Sequence, residues 1–342
     1  IFTLTNTGNT DYDDEIERTG PLNGVRIGWS IRYSVSREGS FAIGGTQSWG
    51  QHTWVTKRGE DYAQHYGEQI TLSNPIVQWL RCGFCWAGQA QTNAFDNIGG
   101  PYLVQDGRLT APHHAGIVVL HVDKSAADST DDPNQPVTLG WHAGDTYPGM
   151  NTVSRAELPK MIAQYSMLSG NPHQGLGGNE RFWETYRDQK DDPYLVHNDG
   201  GGTNLWINYG PFDLQPGESV TFVEAEGVSG LDRDNCREIG RRWKKAYNDP
   251  NDVGPFPLPP DGSSTTDDED EYKNAWVFTG QDSILLTFSR AKRNFDLNYQ
   301  IPLPPQPPTL FEVKSGGDKI TLLWSASPSE ATVRLVTPVS NC

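Results

Sequence analysis

The most compact group of residues that could carry chemistry is the pair Cys82 and Cys85. A redox site of this spacing opens a helix after a strand, because the helix N-terminus lowers the thiol pKa. The aromatic residues around the pair predict a strand instead. A zinc site would need two further ligands, and the sequence has no second pair of this spacing. We expect a structural disulfide or two buried thiols, with Cys236 as a further disulfide candidate and the pairing open.

The densest histidine group consists of His113, His114, His121 and His142. Neighbouring residues of a strand point to opposite faces, so His113 and His114 are not expected to share one ligand site. We interpret them as loop and strand-end residues. A catalytic pairing of a histidine with Asp123 or Asp145 is the alternative.

Carboxylates are concentrated near the N-terminus, at Asp11, Asp13, Asp14 and Glu15. Ca²⁺ takes several oxygen ligands, so alternating carboxylates of one loop can converge on it. Calcium is the one cofactor that the sequence suggests, although it contains no complete EF-hand loop. Plain solvated loops are the alternative interpretation, here and for the acidic run at residues 267–271.

The aromatic content is high, with 11 Trp and 13 Tyr. Aromatic residues favour half-buried strand faces. A second interpretation is a stacking surface for sugars, for which the candidates are Trp141, Tyr147, Trp183 and Trp206.

Several classes of function are disfavoured. The net charge is −16, which repels phosphate backbones and argues against nucleic-acid binding. The sequence contains no nucleophile elbow, phosphate loop, dinucleotide fingerprint or zincin motif. It has no apolar run of about 18 residues, so we expect no transmembrane segment. Its Gly- and Pro-rich composition, and its start without Met, suggest an extracellular or cell-surface protein whose signal peptide has been removed.

The elements that would position these residues are mainly strands. Residues 1–301 contain short runs that are apolar or alternate between apolar and polar residues, and turn residues separate these runs. They predict a mainly β body that consists largely of β-sandwich. We expect helical insertions near 155–168, 179–188 and 231–247. Strands are predicted again at about 275–278 and 283–288. A proline-rich linker at 302–308 then leads to a second unit at 309–342.

The second unit resembles a known module. Residues 308–313 and 318–324 resemble the first two strands of a fibronectin type III module, including the tryptophan of its second strand at Trp324. The segment ends at Cys342, well short of the about 100 residues that such a sandwich needs, so we expect only the start of the module.

Two further segments resemble parts of large, uncharacterised secreted bacterial surface proteins. Residues 210–214 with 216–220 are similar to a strand-turn-strand motif that recurs in those proteins. Residues 2–10 are similar to the strand that begins a β-sandwich in them. Such proteins often continue into fibronectin type III modules. The resemblance implies an extracellular location and brings no catalytic residues.

The sequence therefore favours a noncatalytic extracellular structural or adhesive protein, such as a subunit of a surface layer or filament. Its expected partners are its own copies or other surface proteins, through pairing at sheet edges. The alternative is a secreted protein that binds or cleaves polysaccharides. A glycosidase would need two carboxyl groups facing each other across a cleft.

Overall fold

The computed structural model describes residues 1–35, 52–56, 80–88, 96–143, 158–169, 203–300, 307–315 and 320–326. The chain divides into two compact units, Ile1–Arg293 and Asn294–Cys342. This division precedes the predicted linker at 302–308, of which residues 302–306 lie outside the described residues. The predicted helix near 179–188 lies outside the described residues.

The strands in chain order are β1 (Phe2–Thr5), β2 (Leu22–Ile31), β3 (His52–Thr56), β4 (Arg81–Trp86), β5 (Gly99–Pro101), β6 (Leu109–Ala111), β7 (His113–Ser125), β8 (Asp128–Asp131), β9 (Thr138–Ala143), β10 (Thr203–Leu214), β11 (Ser219–Gly230), β12 (Phe256–Pro257), β13 (Thr265–Thr266), β14 (Phe311–Ser315) and β15 (Ile320–Trp324). The described helices are α1 (Leu158–Leu168), α2 (Arg233–Tyr247) and α3 (Glu269–Asp296).

The first unit is a mainly β body, as predicted. A six-stranded sheet has the order β1-β11-β7-β4-β3, with β8 paired to β7, and a three-stranded sheet has the order β2-β10-β9. Neighbouring strands in both sheets are antiparallel. Alternating runs were predicted to form strands in this body, and β2 confirms one of them, because its alternate residues Ile27, Trp29 and Ile31 pack against the core between the sheets.

That core makes the two sheets a sandwich. Side chains of β7 and β11 from the larger sheet meet side chains of β9 and β10 from the smaller one. The buried members are Ile117, Val119, Val122, Leu139, Leu205, Ile207, Tyr209, Phe212, Leu214, Val220 and Phe222. Phe222 stacks on Tyr209 at a ring-centroid distance of 4.7 Å and on Phe2 at 5.2 Å.

The opposite face of the larger sheet is covered by α3. The Phe278 ring meets the Trp86 ring edge-on at 5.9 Å, and the hydroxyls of Ser229 and Thr287 lie 3.0 Å apart. The strands predicted at 275–278 and 283–288 are therefore wrong, because both segments belong to this one helix. The first unit thus has three layers: a long helix, a six-stranded sheet and a three-stranded sheet.

The helix predicted at 231–247 is confirmed as α2. Asp232 caps it, since its carboxylate accepts hydrogen bonds from the backbone N–H groups of Asp234 and Asn235. Its apolar side packs with the residue before β5, with β6 and β12, and with the first part of α3. The buried residues of this second core are Ile98, Leu109, Cys236, Ile239, Ala246, Phe256, Tyr272 and Val277.

The helix predicted near 155–168 corresponds to α1, of which the structure describes Leu158–Leu168. Leu168 accepts a hydrogen bond from the Arg26 guanidinium through its backbone carbonyl, and the same guanidinium lies 5.8 Å from the Tyr165 ring centre. No helix in the described ranges is both long and apolar enough to span a bilayer.

The second unit contains an antiparallel ribbon of β14 and β15, in the two segments where strands were predicted. Its register pairs Phe311 with Trp324, Val313 with Leu322 and Ser315 with Ile320.

Candidate functional site

The cysteine pair lies in the middle of the larger sheet. Cys82, Cys85 and Cys236 are all free, buried thiols. Cys82 and Cys85 are three residues apart on β4, so the pleat directs them to opposite faces of the sheet and they cannot bond to each other. Burial raises the pKa of both thiols and raises that of Cys236 to about 11. The structure therefore has the buried-thiol alternative, and the disulfide expected among these residues is not formed.

His113 and His114 begin β7 and lie on opposite faces, as the strand alternation predicted. His114 is fully buried, and burial lowers its pKa to about 3, with a smaller contribution from the charge of His113. Its ring contacts the rings of Phe84, Trp86 and Phe278. This imidazole is a neutral core residue. His142 belongs to β9, but its side chain lies outside the described set, as does Asp145.

His121 does pair with Asp123, the partner considered in the sequence. Its Nε2 lies 2.8 Å from Asp123 Oδ1, and its Nδ1 lies 3.8 Å from Asp131 Oδ1. The second oxygen of Asp123 accepts the backbone N–H of Thr221 at 2.7 Å, and Arg81 donates to both oxygens of Asp131 at 3.0 and 3.1 Å. A carboxylate thus faces each ring nitrogen of His121. The residues of this cluster come from β4, β7, β8 and β11, so their contacts link these four strands. Sequence reasoning missed Arg81 and Asp131.

A second carboxylate joins the two sheets. Glu224 on β11 accepts the Trp29 indole N–H, which lies 3.0 Å from each of its oxygens, and it also accepts the hydroxyl of Tyr209. Burial raises the pKa of Glu224 against these hydrogen bonds, which lower it. Burial and the charge of Glu224 in turn raise the pKa of Tyr209. The arrangement is a polar clamp between the larger and smaller sheets.

The N-terminal loop brings three exposed carboxylates together. Single oxygens of Asp11, Asp13 and Glu17 all lie within 4.8 Å of one another. Of the four residues predicted as metal ligands, Asp11 and Asp13 are in this group, while Asp14 and Glu15 are not. Glu17 was missed, because it follows Asp13 by four residues and lies outside the predicted run. Its carboxylate accepts the backbone N–H and the hydroxyl of Thr10, which lowers its pKa.

Of the four aromatic candidates for sugar stacking, Trp206 is the one whose side chain the structure describes. Trp206 is only 6% exposed, so it cannot serve as a stacking platform. Trp141 belongs to β9, but its side chain is outside the described set, and Tyr147 and Trp183 lie in undescribed segments. The large exposed apolar side chains instead include those of the β14–β15 ribbon.

An open pocket of about 600 Å³ lies beside β12 and β13. Its lining includes the carboxylates of Asp267 and Glu271, and Glu271 accepts the hydroxyl of Thr266 at 2.5 Å. The remaining lining is largely apolar or backbone, and no catalytic pairing is built there among the described residues.

Comparison of the chain with protein-family models, with curated proteins and with solved structures gives no match.

Proposed function

We propose that the protein is a noncatalytic extracellular structural or adhesive protein that associates with copies of itself. The observation that carries this proposal is an uncovered apolar face on the β14–β15 ribbon. The resemblance of this segment to a fibronectin type III module, and of two other segments to secreted bacterial surface proteins, also favours the proposal.

The ribbon is amphipathic. Residues paired across two strands lie on the same face, so Phe311, Val313, Leu322 and Trp324 share one face with Ile320. These five apolar side chains are between 48% and 71% exposed. Exposed apolar patches of this kind mark association surfaces. The opposite face carries Glu312, Lys314 and Thr321 together with one apolar residue, Leu323, which is 42% exposed.

A second copy of the ribbon is the occupant that fits this face. A two-stranded ribbon is marginally stable alone and gains stability when its apolar face packs on another sheet. Two identical ribbons present the same surface to each other, which is the condition for a symmetric, closed contact. With a net charge of −16, copies repel one another over most of their surface, but this face carries no charge.

The polar clusters of the first unit support a noncatalytic role. The imidazole of His121 is held between two carboxylates, and the carboxylate of Glu224 is occupied by the indole of Trp29 and the hydroxyl of Tyr209. The imidazole and the carboxylate are the groups that could transfer a proton, and both are already engaged in contacts that link strands of the body. The thiols of Cys82 and Cys85 are buried and protonated.

We include calcium in this proposal, bound by Asp11, Asp13 and Glu17. Three carboxylates on one exposed loop supply the hard oxygen ligands that Ca²⁺ prefers. The ion would also remove negative charge from a strongly acidic chain and so favour association between copies.

The alternative of polysaccharide binding or cleavage has weaker support. Glu224 and Glu226 lie on one face of β11, but the oxygens of Glu224 are engaged between the sheets. Trp206 is buried.

The test is sedimentation velocity with electron microscopy of the full chain, with calcium and with chelator. We expect the wild type to associate and the variant Phe311→Ser/Trp324→Ser to be monomeric. A matched control, Glu312→Ser/Lys314→Ser, changes the other face and should associate like the wild type. Weaker association in chelator would support the calcium site. A wild type that stays monomeric at every concentration, or loss of association in the control variant alone, would refute the proposal.

A further inference from the structure

A buried amine and a buried carboxyl group meet beneath the start of α3. Lys273 and Asp96 are both 0% exposed, and Asn274 beside them is 1% exposed. Asp96 precedes β5 and is separated from Lys273 by 177 positions in the chain. Full burial of a lysine is uncommon in proteins unless the charge is paired.

All three hydrogens of the amine have acceptors. Lys273 Nζ lies 3.0 Å from Asp96 Oδ1, 2.9 Å from the Ile98 carbonyl oxygen and 2.6 Å from Asn274 Oδ1. The Trp243 ring, with its centre 5.6 Å from Nζ, lies over the amine. The nitrogen is therefore fixed beside the carboxyl group of Asp96, and water is excluded.

The carboxyl group is held as firmly as the amine. Asp96 Oδ1 accepts the backbone N–H of Ile98 at 2.9 Å, and Oδ2 accepts the amide N–H of Asn274 at 2.8 Å. Both oxygens thus have donors from the protein, so charge that develops on them during attack at Cγ is stabilised in advance.

We propose that Lys273 and Asp96 condense into an intramolecular isopeptide bond between Nζ and Cγ. Holding the two groups in contact replaces an encounter between separate reactants by a unimolecular step. The dry surroundings favour the reaction in a second way, because they disfavour the separated charges of an ammonium and a carboxylate.

The step balances without an oxidant or a co-reactant. The ammonium of Lys273 transfers one proton to Asp96 Oδ1, which gives a neutral amine and a neutral acid. The Nζ lone pair attacks Cγ, and the negative charge gathers on Oδ2, which accepts the amide N–H of Asn274. A second proton from Nζ reaches Oδ1, the Cγ–Oδ1 bond breaks and one water leaves. The third hydrogen stays on the new amide nitrogen.

Asn274 is the donor in this scheme rather than the acceptor of the new bond. It directly follows Lys273 in the helix, and its Oδ1 accepts a hydrogen bond from Nζ at 2.6 Å while its amide N–H donates to Asp96 Oδ2. A bond between Lys273 and Asn274 would close a medium-sized ring across one peptide unit and would tie α3 to no other element. A bond to Asp96 instead ties α3 to the segment before β5, which restricts the unfolded chain as a disulfide does. This inference does not depend on self-association through the ribbon.

The test is the intact mass of the denatured full chain. We expect a mass one water below that of the sequence. A tryptic digest should contain residues 82–108 joined to residues 246–290, because trypsin does not cleave after an acylated Lys273. Lys273→Arg, whose side chain cannot condense, should have its full sequence mass.

Asp96→Asn tests the acceptor. The same bond would now release ammonia instead of water, so this variant should reach the same final mass as the wild type. A wild-type mass equal to that of the sequence, after days of incubation, would overturn the proposal. A wild type that has lost ammonia instead of water would assign the bond to another acceptor and would overturn it equally.

Discussion

Two buried polar side chains lie at the inner side of α3 and are accommodated in opposite ways. Lys273 belongs to the helix itself, and His114 packs against it at Gly280, about two turns further along. Lys273 has an acceptor for each hydrogen of its amine. His114, which packs against Gly280, has no hydrogen-bond partner at either ring nitrogen among the residues that the structure describes. Both sites are fully closed to solvent.

The difference shows that a charged side chain is stable in the interior when hydrogen-bond partners surround it, whereas a neutral polar ring is stable there when the neighbouring side chains fit its shape. Lys273 remains in the interior because Asp96, Asn274 and the Ile98 carbonyl replace its water shell. His114 remains because burial keeps it neutral, with a pKa lowered to about 3, and because the surrounding rings fit it. Gly280 is part of that fit, since a Cβ there would overlap the imidazole and lie 2.9 Å from its Cε1.

The largest effect should come from removing the partner of a buried charge. Lys273→Met leaves the Asp96 carboxylate without its cation, and we expect a loss of about 3–5 kcal/mol in the free energy of unfolding. If the two residues are covalently joined, the variant also loses that link. Urea denaturation measures the change. Lys124→Met is the control, because it removes only an exposed pair with Asp128 at 4.0 Å and should change stability by about 0.5 kcal/mol or less. Equal losses in the two variants would contradict the dependence on partners.

The next effect tests the fit around His114. Gly280→Ala should destabilise the protein by about 1–3 kcal/mol through overpacking, although alanine alone would favour the helix by about 1 kcal/mol. In a His114→Ala background the added methyl group has space, so the same change should be neutral or stabilising. A double-mutant cycle with urea unfolding gives the coupling between the two sites. Additive effects would show that the imidazole does not set the requirement for glycine.

The same helix marks where sequence reasoning reached its limit. The apolar, aromatic and β-branched residues at 275–278 and 283–288 favoured two strands. The helical spacing of Lys273, Val277, Ile284 and Phe288 was also present in the sequence. Glycine in this helix is explained by a contact with His114, which is distant in the chain, and local propensity cannot show such a contact.

Other parts of the fold were accessible from local pattern. Alternation predicted β2 and the opposite faces of His113 and His114, and the helical spacing of apolar residues predicted α2. The ties between elements were not accessible. Glu224 meets the indole of Trp29 across the sandwich, and Lys273 meets Asp96, only after the sheets and α3 have packed.

The last effect is the smallest per step of the experiment, and it tests the neutral state of His114 through the dependence of stability on pH. The folded pKa of His114, about 3, lies below its ordinary value of 6.5. The stability linked to its neutral form is therefore present above pH 6.5 and is lost as the pH falls towards 3. Asp270 and Asp282 act in the opposite direction. Burial raises their pKa values to about 6, so the stability they contribute at low pH is lost as the pH rises through that value. The wild-type profile contains both trends, so His114→Gln is needed as the reference.

Urea unfolding of the wild type and of His114→Gln between about pH 7.5 and about pH 4.5 isolates the imidazole. Below the ordinary histidine pKa, the stability of the wild type relative to the variant should fall by about 1.4 kcal/mol per pH unit. His113→Gln is the matched control. His113 is only half-buried and its pKa is also lowered by burial, so its replacement should give a smaller change of the same sign. Parallel profiles for the wild type and His114→Gln would mean that the ring takes up a proton without loss of the fold. The packing of α3 around His114 would then have to open to admit the charged ring. Close packing would no longer explain why His114 is buried without hydrogen-bond partners among the described residues.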